Sequence, residues 1–331
     1  MTEAEKIETQ PRRDLAVQGC VACGSVESRI QFRTTDLLYR TTEKTFAIVE
    51  CGRCGLLRLC PQPSPEEFDA YYPRNYWFDP SASAAGRMEE AYRRFVLRDH
   101  LRFVIRALQG AGESGPVLDV GCGGGLFLGM LGQRGFPVLG LDLSPEAAAL
   151  AWSRHRVPAT AGELAASPIA PASCAAVTMF HVLEHVPRPK EYLTEARRLL
   201  RPAGRLIVQV PNAACWQFAL LGRWWNGVDA PRHLHLFRDA DIEKMLVASG
   251  FRVLRKKYFS LRDNPAGLAT SLARSLDPMA RRVRGTTESG AARLCKDLLY
   301  FALVLAALPF AALEAAFCSG STVMIEACKS A

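Results

Sequence analysis

The chain has 331 residues, 49% of them hydrophobic, with a formal net charge of +8 and eleven cysteines. That length and apolar content exclude a disordered chain and a small disulfide-stapled one, and leave room for one large domain with additions. Met1–Asp14 is polar and charged, without the apolar core of a secretory signal, so a cytoplasmic protein with reduced thiols is expected.

Two Cys-x-x-Cys-Gly turns come first, Cys20-Val-Ala-Cys23-Gly24 and Cys51-Gly-Arg-Cys54-Gly55. In each, two thiolates can face one ion while glycine allows the tight turn. The set of Cys20, Cys23, Cys51 and Cys54 is complete at four sulfurs and predicts one structural zinc, with no open position for chemistry. Thr45–Glu50 reads as a strand entering the second knuckle, and Cys60 lies outside the pattern. The expected divisions are a zinc-ribbon domain over 15–61, a helical linker or lid over 62–112, and the main domain over 113–331. The aromatic run from Tyr71 to Phe78 is open to two readings, an interface plug or a substrate wall. Gly86–Gly110 has a helical stripe that includes Val96, Leu101, Val104 and Leu108.

Val117-Leu-Asp119-Val120 is a strand that runs into Gly121-Cys122-Gly123-Gly124-Gly125, and Leu126–Leu131 has the apolar density of a buried helix. Glycines let the backbone approach a ligand, and the helix N-terminus supplies free N–H groups. A dinucleotide fingerprint would need glycine at position 126, which is Leu, and Asp119 would repel a pyrophosphate. Val138–Leu143 is a second strand ending in Asp142, which can accept both ribose hydroxyls. Ser144-Pro145-Glu146 then reads as a helix start.

The Asp119–Gly121–Gly123–Gly125 loop resembles motif I of the class I S-adenosylmethionine-dependent methyltransferases, small-molecule branch. The resemblance extends through His181-Val-Leu-Glu184-His185-Val186, after the fourth strand, to Pro211-Asn212 after the fifth. It implies an α/β fold: a Rossmann-like sheet of seven strands, mostly parallel with the last antiparallel. It implies S-adenosylmethionine as cofactor, held by Asp119, Gly121, Gly123, Gly125, Asp142, Leu143, Glu163 and Phe180. Methyl transfer then goes to a small-molecule or lipid-linked acceptor: a sugar, a polyketide or an aromatic, with a hydroxyl as the favoured acceptor. His233 and His235, two apart in an extended-looking segment, are the candidate bases, with His181 third; purely structural histidines are the other reading. Glu184 and His185 either anchor the loop or hold a divalent ion. His181-x-x-Glu184-His185 also spells an inverted zinc-peptidase motif, but it follows a strand and runs into Pro187 and Pro189, so the helical geometry that motif needs is excluded.

Between the sixth strand, from Phe251, and the last, Ser321–Ala327, lies a helical insertion over 260–318. Residues 251–300 hold eleven Lys/Arg against four acids, and Leu298–Leu313 is uncharged. Sixteen residues make about 24 Å of helix, short of a ~30 Å hydrocarbon core. The insertion is therefore expected to rest on an anionic membrane surface, a lid or a homodimer interface being the alternatives. Nucleic acid is not favoured as a partner, since the N/D-P-P-Y-type motif is absent after the fourth strand. A non-catalytic scaffold on the same fold is the rival from another class.

Overall fold

The computed structural model describes residues 19–72 and 84–330; Met1–Asp14 and the part of the aromatic run from Pro73 to Phe78 lie outside them. In chain order the strands are β1 (Ser28–Thr34), β2 (Phe46–Cys51), β3 (Leu57–Cys60), β4 (Val117–Val120), β5 (Val138–Asp142), β6 (Ala159–Ala161), β7 (Cys174–Phe180), β8 (Leu200–Pro211), β9 (His235–Leu236), β10 (Phe251–Lys257) and β11 (Thr322–Lys329). The helices are α1 (Pro65–Tyr71), α2 (Ala84–Ala111), α3 (Leu126–Gly132), α4 (Pro145–His155), α5 (Pro189–Leu199), α6 (Trp216–Leu221), α7 (Asp239–Ala248), α8 (Asn264–Leu272), α9 (Pro278–Val283) and α10 (Gly290–Ala316).

Strands of Val, Leu, Ile and Ala without polar alternation need cover on both faces, which is the signature of a parallel sheet between helices. The seven-stranded sheet is ordered β10-β11-β8-β7-β4-β5-β6. β4 pairs in parallel with both β5 and β7, β7 pairs in parallel with β8, and β11 runs antiparallel to β8 and β10. One face is covered by Leu101, Val104 and Leu108 of α2 with Phe127, Leu128 and Leu131 of α3. The other is covered by Leu193, Ala196 and Leu199 of α5 with Ile242, Met245 and Leu246 of α7. The order in which strands are added reverses between the parallel neighbours β4 and β7, so the carboxyl ends of these two strands form the crevice where such sheets bind ligands.

The four-stranded sheet is ordered β1-β2-β3-β9, and its last strand comes from far along the chain. Leu57 pairs with Leu236 and Arg58 with His235, and the Leu59 amide donates to the Leu234 carbonyl at 2.9 Å. Phe46, Ile48, Leu57 and Leu59 share one apolar cluster with Tyr71, Cys215, Trp225, Leu234 and Leu236. The small sheet is thereby bonded and packed into the segment after β8. Tyr71, buried in this cluster, is a plug, while its neighbour Tyr72 turns towards His185.

The insertion folds as α8, α9 and α10. Helix α10 is longer than the uncharged run: 27 residues, about 40 Å at 1.5 Å per residue, with Pro309 inside it. By length and composition it could cross a membrane. The charges at its start do not end it. Ser289 caps the first turn, Lys296 pairs with Glu288 and Asp297 with Arg281. Nor does Glu314 close it: this side chain is fully buried and accepts from the Gln217 backbone N–H at 2.9 Å and from Nε2 at 2.8 Å, tying α10 to α6. The opposite face exposes Leu294, Leu298, Phe301, Leu305 and Leu313.

Candidate active site

The glycine loop leaves β4 through three left-handed residues, Gly121, Gly123 and Gly125, at φ +74°, +52° and +75°. At Gly125 a Cβ would stand 2.7 Å from the Ala151 Cβ, so glycine is required for α3 to pack on α4. At Gly123 a Cβ would meet nothing within 4 Å, which leaves open space above the loop for a ligand. Asp142, at the end of β5, is 4% exposed. It accepts from the Gly123 amide at 2.8 Å and from the Ser144 amide at 2.9 Å. Ser144 caps α4 by accepting from the Ala147 amide at 3.1 Å. One carboxylate therefore shapes the loop and still has lone pairs for two hydroxyls.

Asp119 is buried in β4 and accepts from the Thr178 hydroxyl at 2.6 Å; burial pushes its carboxyl up to about 7. Leu143 is exposed just past Asp142, and Glu163 is exposed after β6, where the Gly162 amide donates to the Asp142 carbonyl at 2.8 Å. Phe180 ends β7, edge-on to Phe127 and to His100, each with ring centroids 5.1 Å apart. All the residues expected to hold the cofactor thus line the carboxyl edge of β4, β5, β6 and β7. The open space at Gly123 and the paired acids suit an adenosyl group with an ammonium.

The three expected bases separate. His181, at φ +56°, sits between carboxylates: Nδ1 is 3.0 Å from Glu184 Oε1 and Nε2 3.6 Å from Asp263 Oδ1. Burial would lower its pKa, but Asp263 and Glu184 outweigh it and raise it to about 9. The two carboxylates favour the protonated ring, and a protonated imidazole lacks the lone pair a base needs. His233 and His235 do not lie along one extended segment. Residues 229–233 form a turn in which the Arg232 and His233 amides both donate to the Asp229 carbonyl, so the period-two rule fails there. The His233 ring meets His185 edge-on at 4.6 Å, whereas His235 is 1% exposed beside Phe237, with its ring against the backbone of Val186 and Pro187.

Glu184, His185 and His233 come together, with one ligating atom from each within 4.8 Å of the others. His233 Nδ1 lies 2.8 Å from the Gly227 carbonyl and His185 Nδ1 3.1 Å from the Arg232 carbonyl. A carbonyl only accepts, so the His233 proton sits on Nδ1 and its Nε2 lone pair is free; His185 Nδ1 is shared between the Arg232 carbonyl and the Tyr72 hydroxyl at 2.9 Å, and a hydroxyl can donate or accept. Glu184 Oε2 is buried with no partner among the described residues. Loop anchoring is also present: the Glu184 carbonyl accepts from the Leu234 amide at 2.7 Å. Sequence reasoning missed Asp263, His100 and Gln209. Asp263 lies in the basic insertion, with no motif to mark it. Gln209 reaches it through Nε2 at 2.7 Å, and His100 Nε2 is 3.8 Å from it.

The four cysteines of the knuckles converge. Cys20 and Cys54 sulfurs are 3.5 Å apart, as are those of Cys23 and Cys51. A tetrahedral zinc with ~2.3 Å bonds has sulfurs about 3.8 Å apart, so the donor set fits the ion. The knuckles rest on α5, where Lys190 Nζ donates to the Ala22 carbonyl at 2.6 Å. One zinc per chain is expected by elemental analysis, and Cys51→Ser should lose it along with thermal stability. A variant retaining both would remove the assignment.

A family model described as a methyltransferase domain matches residues 88–256, half of the chain. A ubiquinone biosynthesis O-methyltransferase of Xylella fastidiosa (strain 9a5c) is 34% identical over 134 residues, 37% of this chain and 53% of that protein. One of Cupriavidus pinatubonensis (strain JMP 134 / LMG 1197) is 29% identical over 235 residues, 66% of this chain and 88% of that protein. This chain spans about half the length of the first of these relatives. Among solved structures, a SAM dependent methyltransferase from Archaeoglobus fulgidus is 17% identical with a TM-score of 0.48, covering 75% of this chain and 100% of that one. With the glycine loop, the strand order and the family match agreeing, this chain belongs to the methyltransferase-domain family, class I and S-adenosylmethionine-dependent.

Proposed function

We propose that the chain methylates a hydroxyl group of a small-molecule or lipid-linked acceptor. The observation that carries this reading is the placing of a glycine loop tied to Asp142 beside a histidine cluster, on one edge of one sheet. The relatives' printed names, O-methyltransferases, support the same acceptor atom. When bound, S-adenosylmethionine supplies an electrophilic methyl on sulfur. Asp142 would accept the ribose hydroxyls, Asp119 would lie towards the ammonium, and Leu143, Glu163 and Phe180 would border the adenosyl group. His233 would take the acceptor proton on Nε2 as the methyl is transferred to the acceptor oxygen. Gly227 holds the tautomer that leaves Nε2 free. The protein's main contribution is alignment and exclusion of water. The apolar face of α10 supports docking on the cytoplasmic face of a membrane, within reach of a lipid-linked acceptor.

With methyl-labelled cofactor and cell extract, label should enter organic-soluble material. His233→Ala should lower that turnover by about 10²-fold with cofactor affinity unchanged. Unchanged turnover would remove His233 as the base.

A second reading is favoured by the free Glu184 Oε2, the free His233 Nε2 lone pair and the convergence of His185 on both: a divalent ion at Glu184, His185 and His233 that positions the acceptor oxygen. Under it, a chelator that leaves the ribbon zinc in place, as checked by elemental analysis, stops turnover, and added metal restores it. Full activity after chelation leaves the base reading alone.

A further inference from the structure

Most cations of the basic segment are neutralised by the fold. Arg255 pairs with Glu326, Lys256 with Asp239 and Glu243, Lys257 with Asp99, and Arg281 with Glu288 and Asp297. Arg274 and Arg284 have no carboxylate at ion-pair distance among the described residues, and neither has Arg40 in the loop between β1 and β2. These three guanidiniums line one cavity of about 520 Å³ between that loop and the segment after α8.

Two of the three are fixed in place. Arg284 donates to the Leu37 carbonyl at 3.3 Å and to that of Leu38, and Arg274 to the Ser271 carbonyl at 3.3 Å and to that of Trp224. Arg284 Nε is buried without a hydrogen-bond partner among the described residues. Burial and the neighbouring charges lower both groups, Arg274 through Arg284 and Arg284 through Arg40. Two acids also border the cavity. Asp36 is committed to Arg232, Tyr39 and Thr41, and Glu43 is exposed at the rim. Thr42 and Ser275 border the same space, and Trp224 lies 5.5 Å from the Arg274 guanidinium.

Like charges held together by backbone contacts repel one another unless an anion joins them, and the forked donors of arginine match phosphate oxygens. We propose that this cavity binds the phosphate or diphosphate group of a phosphorylated small molecule or lipid. Its volume falls in the range of ligand sites and leaves room for more than the phosphate. Trp224 offers a stacking face for a ring, as a nucleotide would use. Helix α8, which leads into Arg274 and Ser275, packs on the apolar α10, as a lipid diphosphate would use. Anchoring a methyl acceptor here rests on the acceptor reading above; the binding itself does not.

Calorimetry on the full chain with pyrophosphate at low salt tests it. Binding is expected below about 1 mM, weakened about tenfold or more in Arg40→Gln and in Arg274→Gln, with S-adenosylmethionine affinity unchanged in both. Arg40 is exposed, so its variant should fold even if Arg274→Gln does not. Parallel titrations with a nucleoside diphosphate and with vesicles carrying an isoprenyl diphosphate identify the source, as whichever binds more tightly than pyrophosphate. No pyrophosphate binding at about 10 mM, or equal binding by the wild type and the folded variants, overturns the proposal. Pyrophosphate binding without any methyl transfer would count against the acceptor reading and not against this site.

Discussion

Asp142→Ala should weaken S-adenosylmethionine binding by about 10²- to 10³-fold, with most of the protein's stability kept. Two effects add. The substitution removes a charged acceptor placed for two ribose hydroxyls, each such bond contributing about 1.5–3 kcal/mol. It also strips the Gly123 and Ser144 amides of their acceptor, so the loop that must meet the cofactor is no longer tied to the end of β5. Asp142→Asn keeps one acceptor oxygen and should lose less. Calorimetric titration with the cofactor decides the matter. An alanine variant within about threefold of wild-type affinity would mean that Asp142 only caps its own helix.

The largest stability effect is expected at Arg232. Its side chain is fully buried and forks onto Asp36 through Nη1 at 3.0 Å and Nη2 at 2.8 Å. Nη2 also reaches Asp229 at 2.7 Å, and the guanidinium lies 4.3 Å from the centre of the Tyr39 ring. Arg232→Ala leaves the buried Asp36 and the partly buried Asp229 uncompensated and should cost about 3–5 kcal/mol in urea unfolding. Arg232→Lys should not restore it, because an ammonium cannot fork onto both carboxylates. Burial raises the Asp36 carboxyl, but the hydrogen bonds and charge of Arg232 outweigh it and hold the pKa at about 2. A depressed carboxylate stabilises the fold above its unfolded value near 4, and the contribution fades as pH falls towards 2. The cost of Arg232→Ala should therefore be full above about pH 4 and shrink as pH falls towards 2. A loss under about 1 kcal/mol that does not vary with pH would show the cluster to be dispensable.

Arg232 also marks where sequence reasoning stopped. Its partner Asp36 lies 196 positions away, in a loop that carries no motif. The His181 site is assembled in the same way, from the end of β7, from Asp263 in the insertion and from His100 on α2. The spacing of His233 and His235 suggests one side of an extended segment, but the turn that begins at Asp229 sends one ring to His185 and the other to Phe237. The uncharged run Leu298–Leu313 marks only part of α10, because Lys296 and Asp297 continue the helix with partners, Glu288 and Arg281, that the sequence does not reveal.

What the sequence determined by itself rests on local chemistry. Unbroken apolar runs specify buried parallel strands, alternating glycines specify a loop of left-handed residues, an acid at the end of the second strand marks the ribose, and four cysteines in two tight turns specify a metal site. What the tertiary structure alone decided depends on contacts between distant segments. The ribbon gains its last strand from residues 235–236, and Glu314 is buried against Gln217. Arg40, Arg274 and Arg284 come to share a cavity while most of their basic neighbours find acids. Periodicity and spacing report which face of an element is apolar, but a charge's partner is set by where the chain returns, and that is fixed only when the sheets have packed.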